Sequence, residues 1–208
     1  MKDTIYNFGY KIRWKYNMYK TKYFYKLFFG SIGKKCTICK PMRIVNPRNM
    51  YLGNHVRIRE GARIETIVNY NGELFSPNLV IEDNVGFEQG LHLTCGESVK
   101  IGKDTTVSAY VCITDCTHDY LDLKTNVLNQ KLSTHAVEIG ECSFIGLGSC
   151  IMPGTILGKH CVVGTRAVVN GGTYKDYSVL VGAPAKCVKR YDVENGEWKR
   201  TSPNGEFI

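Results

Sequence analysis

From Leu52 to Val163, a large apolar side chain returns every sixth residue, with breaks after Ile64 and Ile113 and a two-residue slip after Leu93. The fourteen positions are Leu52, Ile58, Ile64, Ile81, Phe87, Leu93, Ile101, Val107, Ile113, Ile139, Ile145, Ile151, Leu157 and Val163. A small or β-branched residue usually stands four positions later, and glycine often follows the apolar residue directly.

A period of six matches neither the 3.6 of a helix nor the 2.0 of a continuous strand. It predicts short strands joined by tight turns, with each apolar residue stacked on its equivalent in the next coil. One such unit cannot bury its apolar side alone, so the coils must stack. The repeat therefore predicts an all-β solenoid with about three hexads in each coil.

Two stretches of the repeat resemble a known family. The run from Val137 to Gly158 follows the pattern [LIV]-G-x-x-[STAV]-x, and residues 181–186 read V-G-A-P-A-K. They resemble the hexapeptide-repeat acetyltransferases, most closely the bacterial surface-polysaccharide (O-antigen or capsule) and galactoside or maltose O-acetyltransferases. The resemblance covers about residues 45–190. It implies a left-handed parallel β-helix, acetyl-CoA as co-substrate, a saccharide acceptor, and a homotrimer with active sites between subunits.

The N-terminal segment holds the charge imbalance of the chain. Residues 1–35 contain nine Lys or Arg and one acidic residue, whereas the rest contains 18 of each sign, and the net charge is +8. Aromatic residues are dense there, and the apolar ones have helical spacing, which predicts one or two amphipathic helices over about residues 3–29. Such a helix either contacts an anionic membrane surface or packs on the body with its lysines in solvent. No nucleic-acid motif accompanies the charge, so nucleic acid is not an expected partner.

Three parts are predicted: a basic, aromatic, helical N-terminal segment (1–40), a β-helix acetyltransferase domain (41–190) and a C-terminal tail (191–208). The breaks in the repeat predict loop excursions at 70–80 and 119–136, the second being a protruding active-site loop. No apolar run reaches about 18 residues, and nine cysteines suit free thiols. We therefore expect a cytoplasmic protein, with peripheral contact at the inner face of the cell membrane as an added alternative.

His118 is the residue that the resemblance marks as the general base. It follows T-D-C-T at 114–117 and opens the second break of the repeat, as the catalytic histidine of the family does. Histidine suits the role because an ordinary pKa of about 6.5 leaves it mostly neutral at pH 7. A base histidine usually has an orienting partner. By proximity in sequence or in stacking, the candidate partners are Asp115, Asp119, Glu88 and Glu141.

Four residues are predicted to bind substrate. Glu88 stands where galactoside O-acetyltransferases carry an asparagine that contacts the acceptor sugar, and Phe144 stands where the family often has tryptophan near the acyl pocket. Asp115 lies close to His118, and His135 ends the 119–136 loop. For each, simple packing or solvent exposure is the alternative. The remaining histidines, His55, His92 and His160, fall at turn positions of the hexads and are expected to be exposed.

The resemblance also implies the residues that meet coenzyme A. Leu147 aligns with the residue whose backbone N–H faces the thioester carbonyl, and Gly164 and Thr165 match the stretch that contacts pantetheine. The basic residues after the last coil would meet the CoA phosphates, or would form a solvated basic end. They are Lys186, Lys189 and Arg190.

Several other functions stay open. Antibiotic O-acetylation and N-acetylation of an aminosugar use the same fold and base. No metal is expected: Cys36-x-x-Cys39 has no second pair at zinc spacing, and His118 has no histidine five residues away, as the zinc-binding branch of the fold requires. A non-catalytic β-helix scaffold is the remaining alternative.

Overall fold

The structure is a computed structural model that describes the backbone of residues 2–208 and the side chains from Phe8 onward. The chain begins with the α-helix Lys2–Tyr23 and a 3-10 turn, Tyr25–Leu27. Two further 3-10 turns are Pro47–Asn49 and Val127–Asn129. The predicted N-terminal helix is thus present. Ile5, counted on its apolar stripe, has a side chain outside the described residues.

Three sheets built from short strands form the body. In pairing order, the first sheet contains Ser31–Ile32, Met50–Leu52, Asn78–Ile81, Ser98–Ile101, Val137–Ile139, Thr155–Leu157 and Gly172–Tyr174. The second contains Thr37–Ile38, Arg57–Ile58, Gly86–Phe87, Thr106–Val107, Phe144–Ile145, Val162–Val163, Ser178–Gly182, Ala185–Asp192 and Glu197–Arg200. The third contains Val168–Val169, Cys150–Ile151, Cys112–Thr114, His92–Cys95, Arg63–Thr66 and Arg43–Val45. All pairs are parallel except those made by the last two strands of the second sheet.

The chain visits the first, second and third sheets in rotation, and each strand pairs with its counterpart one round later. The six-residue repeat explains this register. All fourteen apolar positions are buried, and they pair directly across rounds, as Ile81 does with Leu52 before it and Ile101 after it. The predicted stacking of the repeat therefore agrees with the structure.

The repeat begins earlier than the sequence analysis placed it. Ile32, Ile38 and Ile44 are six residues apart and pair with Leu52 and its two successors in the repeat. An eight-residue step from Ile44 to Leu52, which contains the turn Pro47–Asn49, hides this first round in the sequence. Strands of the body consequently begin at Ser31, inside the predicted segment 1–40. The strand Glu197–Arg200, inside the predicted tail, pairs with Ala185–Asp192.

The N-terminal helix is fixed to the second sheet by a buried polar contact. Thr21 is fully buried, and its Oγ1 accepts the backbone N–H of Ile38 at 2.8 Å while donating to the carbonyl of Asn17 at 2.7 Å. Because this N–H stands at the start of the sheet, a side-chain acceptor from the helix satisfies it. Most of the aromatic side chains described on the helix are exposed, among them Phe8, Tyr16 and Tyr23.

Both breaks in the repeat leave the body at the same connection, from the third sheet to the first. The first excursion forms the hairpin of Asn69–Tyr70 with Glu73–Leu74, and the second forms the hairpin of Cys116–His118 with Leu132–Thr134. One round separates them, and there the strand His92–Cys95 passes straight into the first sheet. The two loops therefore rise from one edge of the body and can touch across that short connection.

Candidate active site

His118 lies on the hairpin that carries the second excursion. It pairs with Leu132, and Asp119 N donates to the Lys131 carbonyl at 2.9 Å, which continues the ladder into the loop. The side chain of His118 is half-buried. A residue held by backbone pairing at the base of a loop has a defined position while its ring stays accessible, which a general base requires.

The ring of His118 contacts the first excursion. His118 Nδ1 lies 3.2 Å from Tyr70 Oη, and the two ring centroids are 5.3 Å apart. Tyr70 Oη also lies 2.5 Å from the carbonyl oxygen of Leu128, on the second excursion. Asn71 donates to the same carbonyl at 2.8 Å. The two excursions are thereby joined at the imidazole, through a residue that the sequence analysis did not select.

The four carboxylates proposed as partners of His118 are engaged elsewhere. Asp115 is fully buried and accepts the backbone N–H groups of residues 96–98 at 2.6–2.8 Å. Asp119 accepts the Ser133 hydroxyl at 2.5 Å. Glu88 pairs with an arginine at 3.1 Å, and Glu141 pairs with a lysine at 3.1 Å. The burial of Asp115 also argues against its predicted contact with substrate, because no part of it reaches the surface.

A cleft of about 410 Å³ opens beside His118 on the outer face of the third sheet. Its lining residues are Arg63, Glu65, Ile67, Tyr70, His92, Thr94, Thr114, Cys116, Thr117, His118 and Leu132. Arg63 pairs with Glu65 at 2.5 Å. Polar side chains that converge on a concave surface can fix the orientation of a bound ligand.

His92 corrects one expectation. It was predicted at an exposed turn, but it lies in the strand His92–Cys95, half-buried in the cleft, with Nε2 3.4 Å from Thr94 Oγ1. Burial, and secondarily the charge of Arg63, lower the pKa of His92. A neutral imidazole is therefore favoured there at pH 7. The regular step from Phe87 to Leu93 already places His92 directly before a buried repeat position, in a strand and not at a turn.

Cysteine chemistry is disfavoured at this site. Burial raises the pKa of Cys116, in the cleft, to about 11, so the thiolate needed for nucleophilic attack is scarce at pH 7. Cys36 and Cys39, weighed as half of a zinc or redox site, are both buried in the body, and burial raises the pKa of each thiol.

Another group of predicted residues lies at a different edge of the body. Glu88, Leu147 and Thr165 all follow second-sheet strands, in connections that lead to the third sheet. Leu147 is 44% exposed, and no group among the described residues accepts its backbone N–H. Phe144 precedes this edge on the second sheet and is 46% exposed, and Gly164 is half-buried. The single chain does not bring this edge into the His118 cleft.

The remaining predicted residues have mixed surroundings. His135 is exposed, and its backbone N–H and carbonyl tie the end of the loop to Asp115 and Gly154. Lys186 is exposed, and Lys189 Nζ lies 5.3 Å from the ring centroid of Trp198. Arg190 donates to the carbonyl of Gly205 at 2.6 Å and stacks 4.4 Å from the ring centroid of Phe207. Arg190 is thus occupied by the C-terminal segment.

Sequence comparison identifies the family. WbbJ of Escherichia coli K12, a protein named for O-acetyl transfer in lipopolysaccharide biosynthesis, is 30% identical over 158 residues, which cover 72% of this chain and 80% of WbbJ. The chain belongs to the hexapeptide-repeat acetyltransferase family. A Mycobacterium tuberculosis protein named as an acetyltransferase is 34% identical over 111 residues, 47% of this chain and 37% of that protein. No protein-family model matches the chain.

Solved structures of two acyltransferases share the fold. AntD of Bacillus cereus, an N-acyltransferase solved with dTDP and 3-hydroxybutyryl-CoA, superposes with a TM-score of 0.67 at 20% identity, over 86% of this chain and 92% of AntD. The acetyltransferase VCA0836 of Vibrio cholerae superposes with a TM-score of 0.54 at 15% identity, over 91% and 92% of the two chains. At these identities the likeness concerns the fold alone.

Sequence reasoning missed Tyr70, Arg63, Glu65 and His92 as residues of the cleft. One signal for Tyr70 was present. Both breaks interrupt the repeat after a residue of the same sheet, Ile64 or Ile113, so two loops were bound to leave from one edge. Counting hexads across the slip at Leu93 would have brought the two loops together and drawn attention to their aromatic residues.

Proposed function

We propose that this acetyltransferase moves an acetyl group from acetyl-CoA to a sugar hydroxyl of a bacterial surface polysaccharide, or of its precursor, with His118 as general base. The observation that carries the proposal is the half-buried imidazole of His118, held over a polar cleft by contacts from two loops. The similarity to WbbJ supports a saccharide acceptor. The rotation of the chain through three parallel sheets supports a parallel β-helix, and membership of the hexapeptide-repeat family supports its left hand.

The chemistry is direct transfer to the acceptor. A ring nitrogen of His118 takes the proton of the acceptor hydroxyl while the oxygen attacks the thioester carbonyl. The tetrahedral intermediate collapses, the C–S bond breaks, and the proton passes to the CoA sulfur. A backbone N–H without an internal acceptor, such as that of Leu147, would stabilise the developing oxyanion.

The location of the two predicted groups supports a site shared between copies, as in the homotrimer that the family resemblance implies. His118 lies at the connection from the third sheet to the first, whereas Glu88, Leu147 and Thr165 lie at the connection from the second to the third. Along the body, His118 follows the fourth round, and Glu88 and Leu147 belong to the third and fifth rounds. His118 is therefore at about the same height along the body as Glu88 and Leu147. A neighbouring copy that places its second-to-third-sheet edge against the His118 edge would complete the site.

Mixed oligomers test this arrangement. His118→Asn removes the base, and Thr165→Trp blocks the opposite edge, so each variant alone is expected to be inactive. When the two are co-expressed with different tags and co-purified, mixed oligomers contain some sites with neither change, and activity returns. If both groups served a site within one chain, every site would carry a defect and no activity would return.

Isotope transfer tests the reaction. The protein is incubated with labelled acetyl-CoA and a panel of nucleotide sugars, surface-polysaccharide fragments, aminosugars and hydroxylated antibiotics, and products are read by mass spectrometry. We expect label on a saccharide hydroxyl, lost in His118→Asn. His55→Asn is the matched control, because His55 is exposed and asparagine tolerates its left-handed backbone at φ 58°.

Each result of the panel has a definite meaning. Label on an amine would identify an aminosugar N-acetyltransferase, and label on an antibiotic would identify a resistance enzyme. Equal transfer by wild type and His118→Asn would exclude His118 as the base. Absence of both transfer and CoA binding would favour a scaffold.

The N-terminal helix supports a peripheral location at the inner face of the cell membrane. Phe24 and Leu27, which follow the helix directly, are 54% and 67% exposed, and lysines flank them. Aromatic side chains beside lysines are typical of an interface with anionic lipid. Within residues 2–208, no helix is both long and apolar enough to cross a membrane. The protein should co-sediment with anionic vesicles, and the double change Phe24→Ser with Leu27→Ser should reduce the bound fraction. Equal binding to neutral vesicles would contradict the interpretation.

A further inference from the structure

Three polar groups from two excursions form a short chain at His118. The Leu128 carbonyl oxygen, Tyr70 Oη and His118 Nδ1 lie in sequence, with separations of 2.5 Å and 3.2 Å. Both separations lie within hydrogen-bond range, so each must be assigned one donor and one acceptor. This assignment decides which nitrogen of the His118 imidazole carries the hydrogen.

The Tyr70 hydroxyl has one hydrogen to give. A carbonyl oxygen can only accept, so the contact with Leu128 requires that Tyr70 donates. If the hydroxyl instead donated to His118, two lone-pair oxygens would face each other at 2.5 Å with no proton between them. Tyr70 Oη therefore accepts from His118, and Nδ1 must carry the hydrogen. A neutral imidazole has a single N–H, which leaves Nε2 as the unprotonated nitrogen.

We propose that Tyr70 is a positioning residue that holds neutral His118 in the Nδ1–H tautomer, so that Nε2 is the nitrogen that accepts the proton. This inference rests on the proposed role of His118 as general base. Tyr70 touches the base rather than the reacting atoms, and it fills the place that a carboxylate was expected to fill.

The tautomer also depends on how the two loops dock. The hairpin of the first excursion supplies Tyr70, and the turn Val127–Asn129 in the second supplies the carbonyl that orients its hydroxyl. Asn71 strengthens the docking, because it donates to the carbonyls of Leu128 and Gln130 at 2.8 Å and 3.3 Å. Asn71 has no hydrogen bond to His118, so Asn71→Ala weakens the docking without removing the direct contact to the imidazole.

Nitrogen NMR of the protein labelled at the histidine ring nitrogens tests the tautomer directly. The His118 signals are assigned by their loss in His118→Asn. In the wild type at a pH where the ring is neutral, we expect a protonated Nδ1 and a bare Nε2. Tyr70→Phe should move the population toward Nε2–H, and Asn71→Ala should move it less in the same direction, whereas Tyr120→Phe, a change at an exposed tyrosine, should leave it unchanged. A wild-type His118 protonated at Nε2 would overturn the proposal, as would a Tyr70→Phe spectrum identical to that of the wild type.

Kinetics give a second, separate measurement. Tyr70→Phe keeps the ring and removes one hydrogen bond, for which we expect a fall in kcat of about three- to tenfold with KM for both substrates unchanged. Tyr120→Phe, on the excursion that carries His118 and 69% exposed, should match the wild type. A change confined to the acceptor KM would make Tyr70 a substrate contact instead. Because the NMR experiment needs no turnover, it stands even if His118 proves not to be the base.

Discussion

Asp115→Asn is expected to destabilise the protein severely, although it replaces a carboxylate by its closest neutral analogue. Asp115 is fully buried. One oxygen accepts Gly96 N at 2.6 Å, and the other accepts Glu97 N and Ser98 N at 2.8 Å each. These bonds hold the turn at residues 96–98, which connects the third sheet to the first in the round between the two excursions. The carboxylate therefore supports the backbone on which the candidate site is built.

The magnitude follows from what an amide can replace. If the side-chain oxygen of asparagine takes the position of Oδ2, it keeps the bonds from Glu97 N and Ser98 N but loses their charge assistance. Its NH₂ then faces the N–H of Gly96. A buried bond to a charged acceptor contributes about 1.5–3 kcal/mol, and the two retained bonds each weaken by about 0.5–1 kcal/mol. The expected loss is about 2.5–5 kcal/mol, or about 5–20 °C in Tm for a chain of this size.

Urea and thermal unfolding followed by circular dichroism measure the loss. Asp104→Asn is the matched control, because Asp104 is exposed and its side chain makes one hydrogen bond, to Asn84 at 3.0 Å. We expect that change to stay within about 0.5 kcal/mol. If Asp115→Asn were as stable as Asp104→Asn yet inactive, the structural role argued for Asp115 would be wrong and a role at the substrate would return.

Three further stability predictions test the packing of the fold. Thr21→Val leaves a buried backbone N–H of the second sheet without its acceptor and should cost about 1–3 kcal/mol by urea unfolding, while also freeing the helix to proteolysis. Gly146→Ala sets a Cβ 2.5 Å from a carbonyl oxygen and should cost about 1–3 kcal/mol, whereas Gly86→Ala meets only a flexible arginine at 3.4 Å and should cost about 1 kcal/mol or less. Ile113→Ala empties a fully buried position and should lower stability by about 2–5 kcal/mol, against about 1 kcal/mol or less for Ile156→Ala, which is 43% exposed; equal costs within either pair would contradict the assigned packing.

The fold was predictable because the repeat imposes its own register. Each apolar residue must lie over its equivalent in the next round, so the spacing in the sequence determines the pairing in space, as with Ile101 over Ile81. The prediction failed where the number of residues between two repeat positions changed although the rounds still stack. The step from Ile44 to Leu52 is eight residues, and the round before it was therefore missed.

The candidate site was less predictable because its contacts lie between the interruptions. His118 could be selected from the resemblance, but its observed partner lies 48 residues away, on another loop. No periodicity governs residues within these loops, so their mutual docking follows from side-chain hydrogen bonds such as those to Leu128. Carboxylates were the expected partners of His118, by analogy with base histidines in general, but the observed partner is the phenol of Tyr70.

The burial of Asp115 could have been predicted from the alternation of side chains along a strand. Successive strand residues point to opposite faces, so a residue two positions beyond the buried Ile113 continues on the inner face. The equivalent residues of the two preceding third-sheet strands, Thr66 and Cys95, are both buried and pair with each other. Burial, and secondarily the charge of Asp115, raise the pKa of the Cys95 thiol, as expected for neighbours in one interior column. A carboxylate at the end of such a column must find backbone donors, because an unpaired buried charge is too costly to keep. The N–H groups of the adjoining turn supply them, and the acid three residues before His118, the proposed base, is thereby directed away from it.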